Sequence, residues 1–123
     1  MPPTDPAAPD SNMPDPKQLS FAALNTLVTS STAAANDPKN TPDAQDAAWA
    51  TRTVAVQELE ALDLAVFTGN TAQLQAAAAT MTPGMDQLKD LKKKISALGN
   101  DFKEAATILT DIDKVVGTLS ALF

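Results

Sequence analysis

Residues 83–123 read PGMDQLKDLKKKISALGNDFKEAATILTDIDKVVGTLSALF, and the spacing of their apolar side chains decides the fold class. Leu88, Leu91, Ile95, Leu98, Phe102, Ala105, Leu109, Ile112, Val116, Leu119 and Phe123 recur at alternating steps of three and four residues. That alternation keeps one face of an α-helix apolar, and sustained over several heptads it predicts coiled-coil-like packing. The charged residues from Asp86 to Lys114 all fall off this seam. Asp90 stands four residues before Lys94, the favourable order for an ion pair along a helix. Gly99-Asn100 is a local stop signal, and a glycine costs about 1 kcal/mol against alanine inside a helix. The seam keeps its phase across Gly99, however, so the pattern favours one helix over 83–122, with a kink or split at that glycine as the alternative.

Outward from this stretch, the same start signal occurs three times. In Asp15-Pro16-Lys17-Gln18 an N-cap residue precedes a proline at the first helical position, with a capping-box partner at Gln18. The stripe Leu19, Phe21, Leu24, Leu27 and Val28 predicts helix 1 over 16–35, ended by Asn36-Asp37-Pro38. Thr41-Pro42-Asp43 opens helix 2, expected over 42–80. Leu59, Leu62, Val66, Asn70, Leu74, Ala77 and Met81 keep one stripe through Gly69-Asn70, which favours a continuous or kinked helix there. Thr82-Pro83, beside Gly84, is the third start, and a turn there would make helices 2 and 3 antiparallel neighbours.

The fold expected is therefore all-α. It is an elongated antiparallel helical hairpin or bundle of three main helices, with Gly69 and Gly99 as sites of kinking or splitting. Helices of nearly forty residues would be about 60 Å long. Residues 1–14 hold five of the nine prolines and no large apolar residue but Met1 and Met13. They are expected to be a disordered tail, and 15–123 a single helical domain.

Composition narrows the function. The 123 residues include 9 basic and 15 acidic side chains, for a formal net charge of -6, and no Cys, His or Tyr. Without Cys there is no disulfide framework or thiol nucleophile, and without His the commonest general base and zinc ligand are missing. An acidic chain is a poor partner for nucleic acid. The opening Met1-Pro2-Pro3-Thr4-Asp5 has neither the basic nor the apolar region of a secretory signal. No stretch approaches the roughly 18 apolar residues that span a bilayer. The expected location is soluble, in the cytoplasm or outside it by a route that needs no signal peptide.

The candidate chemical groups are few. Glu60 and Asp63 share a helix face at i,i+3 and Glu58 lies on another side, so the three read as a solvated face. Lys89, Lys92, Lys93 and Lys94 form the one basic cluster, partly neutralised by Asp86 and Asp90. No aromatic lies nearby for bases to stack on. No catalytic residue, cofactor site, metal site or small-molecule substrate is expected, and the chain reads as a non-enzyme. Trp49, Leu98 and Phe102 are expected as helix–helix anchors. The stretch 115–123 has no charged side chain and is apolar on more than one side. Leu109, Ile112, Val115, Val116, Leu119, Leu122 and Phe123 are therefore the expected interaction surface, for a protein partner, for self-association or for a membrane.

In plan, the chain resembles small secreted helical-hairpin proteins of bacteria such as secretion-needle or inner-rod subunits. Granule-coat proteins and helical pore-forming toxins share that outline. The likeness is of plan and carries over no residue. It implies a non-enzymatic helical interaction or assembly protein, secreted or part of a secretion apparatus. The alternative is a membrane-active effector or toxin that uses its apolar C-terminal end.

Overall fold

The computed structural model describes residues 16–68 and 71–122. The expected tail, the Gly69-Asn70 pair and Phe123 lie outside the described residues. The elements are α1 (Pro16–Ala35), α2 (Pro42–Thr68), α3 (Thr71–Leu98), a single 3-10 turn (Gly99–Asp101) and α4 (Ala105–Leu122). No strand occurs among the described residues. The fold is all-helical, with four packed helices where three were expected.

α1 and α2 both begin at a proline, whose missing N–H costs nothing in the first turn. The last carbonyls of α1 are satisfied by the turn that follows. Asn36 N–H donates to Thr32 O, Asp37 N–H to Ala34 O, and the Asn40 side-chain amide to Ala34 O at 3.0 Å. Thr41 caps α2 by accepting the Ala44 N–H at its hydroxyl, and Asp43 sits in the positive first turn.

The third start signal does not start a helix. α3 runs straight through Pro83, so the expected turn at 82–84 is absent. The Thr82 hydroxyl donates backward to Ala78 O at 2.7 Å, inside a helix already under way, instead of accepting from a new first turn. The chain reverses instead between α3 and α4. Gly99 takes φ 55, a left-handed conformation that ends a helix and that glycine adopts without strain. Phe102 follows in extended backbone and is buried, with its N–H donating to Gly99 O. The expected single helix over 83–122 is thus two helices. The expected helix over 42–80 likewise gives way to α2 and α3, which end and begin at Thr68 and Thr71. The longest helix has 28 residues and is about 42 Å long.

Each helix packs on the next, and α4 closes the ring by packing on α1. Side-chain pairings fix the directions. Arg52 of α2 reaches Thr32 of α1, Gly84 of α3 lies on Glu58 of α2, Lys92 of α3 meets Asp113 of α4, and Ser30 of α1 meets Asp111 of α4. In every pair the later helix runs antiparallel to the earlier one. The core inside contains Leu24 and Leu27 from α1, Leu62 from α2, Met81, Leu88 and Ile95 from α3, Phe102 from the turn, and Ile108, Ile112, Val115 and Leu119 from α4. Full burial of one such side chain contributes about 1.5–3 kcal/mol.

The apolar seam does not keep its phase. Leu88 and Ile95 on α3 are fully buried, as expected. On α4 the fully buried set is Ile108, Ile112, Val115 and Leu119, while the expected seam positions Leu109 and Val116 are only half-buried. The reversal at Gly99–Phe102 lets α4 turn its own face inward, and that face is centred between α1 and α3.

Candidate functional site

Four local features carry polar or exposed chemistry. The first is the outer side of α2. Trp49 is 52% exposed, and the Arg52 guanidinium lies 5.0 Å from the centre of its ring. This is a cation–π contact at i,i+3 spacing. Arg52 Nε also donates to the Thr32 hydroxyl at 3.1 Å, which holds the guanidinium between α1 and the indole. The expectation that Trp49 anchors helices from within is corrected: the indole points outward because the inward positions of this turn belong to Ala47, Ala48 and Thr51.

The second is a trough of about 570 Å³ between α1 and α4. Leu19, Ala22, Ala23 and Thr26 line one side and Asp111, Lys114, Gly117 and Thr118 the other. Small side chains hollow it out, and Leu19 stands exposed at its rim. Asp111 is buried and accepts a hydrogen bond of 2.7 Å from the Ser30 hydroxyl.

The third joins the two turns at one end of the bundle. Asn40 is buried, donates to Glu104 Oε2 at 2.7 Å and accepts from the Lys103 N–H at 2.8 Å. The Thr41 N–H reaches Asp101 O. Beside it, the Lys39 N–H donates to Asp37 Oδ1 and lowers the pKa of that carboxyl.

The fourth is Glu58. It was expected on a solvated face, but it is 4% exposed and Oε2 has no hydrogen-bond partner. Burial pushes its pKa from 4.5 to about 7. Glu60 and Asp63 remain exposed and border a shallow recess with Phe21, Asn25 and Leu59.

The expected C-terminal surface is largely internal. Ile112, Val115 and Leu119 are fully buried because α1 covers the second apolar face of α4. Leu109 and Val116 are half-buried, and the side chain of Leu122 and all of Phe123 lie outside the described residues. Of the expected anchors, Phe102 is buried and Leu98 half-buried. Lys89, Lys93 and Lys94 are exposed, and Lys92 pairs with Asp113 at 2.6 Å on the surface. Such an exposed pair contributes little to stability. Among the described residues no group of three or more acidic side chains is placed to hold a metal ion, and no helix is long and apolar enough to cross a membrane.

The fold and these features define an all-α protein of four packed helices. No family model, no curated protein and no solved structure matches the chain.

Proposed function

We propose that this chain is a non-enzymatic helical interaction protein that works by helix–helix packing, through self-association or capture of a helical partner. The observation that carries this reading is the exposure of Trp49 on the outer side of α2, held in place by Arg52. Tryptophan and arginine are the residue types that most often dominate binding energy at protein interfaces. A rigid indole beside a pinned guanidinium also loses little entropy when a partner covers it. Leu64, 66% exposed further along α2, extends the apolar character of that helix. Coiled-coil packing between copies, and a role as a secreted or secretion-apparatus subunit, belong to this proposal. A membrane-active role would require the bundle to open first, because Val115 and Leu119 are buried.

Trp49 is the only tryptophan, so its fluorescence reports directly on whether the indole becomes covered. Light scattering of the wild type across concentration, read beside the emission maximum, tests the proposal. Association that shifts the emission to the blue, and that weakens in Trp49→Ala, is the expected result. A chain that stays monomeric at high concentration, and whose emission no partner from its native source shifts, overturns it.

A further inference from the structure

Glu58 occupies a core position. Thr51, Ala55, Glu58 and Leu62 recur at steps of four, three and four, and all are buried on the inward stripe of α2. The carboxylate lies on the backbone of Gly84 in α3, where a Cβ added to the glycine would overlap it. Glycine at this position therefore makes the space that the carboxyl fills. One residue earlier stands Pro83, which cannot donate to Ala79 O, so α3 lacks a rung of its hydrogen-bond ladder beside the contact. The backward bond from Thr82 to Ala78 O falls in the same turn, a pattern that bends helices.

Among the described residues no counter-charge is paired with this carboxyl. α1 carries no charged residue between 18 and 35. On α2 the nearest charged side chains along the chain are Arg52, which is engaged with Trp49 and Thr32, and the exposed Glu60 and Asp63. On α3 they are Asp86, Lys89 and Asp90, all exposed. On α4, Asp111 accepts from Ser30, Asp113 pairs with Lys92, and Lys114 is exposed. Among the described residues no ion pair reaches Glu58. An ionised, unpaired carboxylate inside a core is costly, so such a group stays neutral unless water or a shift of its neighbours relieves the charge.

We propose that Glu58 and the Pro83–Gly84 segment form a pH-operated hinge between α2 and α3. The neutral carboxyl allows the helices to close on each other, and its ionisation swings the part of α3 beyond the proline away from α2, while the start of α3 stays tied to the end of α2 across two residues. Pro83 is where α3 bends most easily, since no backbone hydrogen bond has to break there. The elevated pKa of about 7 puts the transition near neutral pH. Opening would expose neighbours of the contact such as Leu62, Met81 and Leu88.

The test uses the full chain, which is cysteine-free and so accepts spin labels only where cysteines are placed. Gln57→Cys and Gln87→Cys put labels at exposed positions on α2 and α3. The expected result is an inter-label distance that lengthens by several ångströms between pH 5 and pH 8.5. In the Glu58→Gln background it stays short throughout. The Glu58 carboxyl carbon, followed by NMR in the unsubstituted chain, is expected to titrate near neutrality, and this measurement does not depend on any variant folding. A titration in the ordinary carboxylate range, a distance that ignores pH, or a lengthening that persists in Glu58→Gln would overturn the hinge.

Discussion

α2 and α4 both turn one face into the same core, but they fill it with different materials. α4 presents Ile108, Ile112, Val115 and Leu119, four large or branched apolar side chains at steps of four, three and four. Among its described side chains α2 presents mainly Ala44, Ala47, Ala48, Thr51, Val54, Ala55 and Glu58, with Leu62 as the one fully buried large aliphatic side chain there. One helix stabilises the bundle by volume. The other lets its neighbours come close and hides a titratable group. The contrast shows that burial alone does not measure what an element contributes: the described part of α2 buries as regular a stripe as α4, with smaller apolar side chains in it.

The largest effect that would sharpen this contrast is expected on α4. Ile112→Ala should lower unfolding free energy by about 3 kcal/mol, because it opens a cavity in a fully enclosed site. Chemical denaturation at fixed pH measures it, and a loss below about 1 kcal/mol would mean that α4 is not the volume-bearing helix.

Glu58 comes next, and its effect has a direction in pH. Its pKa is raised from 4.5 unfolded to about 7 folded, so the folded chain binds the extra proton between those values. Stability from this group is therefore greatest below about pH 4.5 and is lost as pH rises through 7. Each pKa unit is about 1.4 kcal/mol, so the part of this span read between pH 5 and pH 8 is about 2–3 kcal/mol. Denaturation midpoints of wild type and Glu58→Gln, compared at pH 5 and pH 8, should show this slope in the wild type and not in the variant. Parallel pH profiles would remove Glu58 from the comparison.

Ala48→Leu asks whether the small face of α2 has room to spare. A fully buried alanine replaced by leucine should destabilise by about 1–3 kcal/mol through overpacking. A gain in melting temperature instead would show that α2 is underpacked. The smallest effect belongs to the outer side of the same helix. Trp49→Ala should change monomer stability by less than about 1 kcal/mol, since the indole is half exposed and its contact with Arg52 is a modest surface interaction. A larger loss in thermal melting would make Trp49 a structural residue after all.

Parts of this arrangement are legible in the sequence, and the failures have specific physical causes. The helical class and the starts at Pro16 and Pro42 follow from apolar spacing and from cap-plus-proline signals. Thr82-Pro83 shows the same letters and means something else. The letters do not say whether the threonine hydroxyl accepts from the turn ahead or donates to the turn behind. Gly99 does carry a true stop signal, and an uninterrupted seam of threes and fours outweighs it on paper. The seam is a property of one helix, whereas the buried face of α4 is chosen by α1 and α3 together, which is why Ile108 and Val115 are buried in place of Leu109 and Val116. Glu58 was the most concealed element of the site. Its place in the steps from Thr51 to Leu62 was the available signal, but only a glycine 26 positions away explains how a carboxyl fits there.

The bridge made by Asn40 gives the bundle a mechanical polarity. Asn40 fastens the turn after α1 to the start of α4 at one end of the molecule, through Ala34, Glu104 and Lys103. The end of α2 and the beginning of α3 lie at the other. The helices are thus arranged like the arms of a pair of tongs, with the fulcrum at the polar turns. Heat or load should therefore open the opposite end first, where the end of α2 and the start of α3, joined across two residues, part from α1 and α4 together.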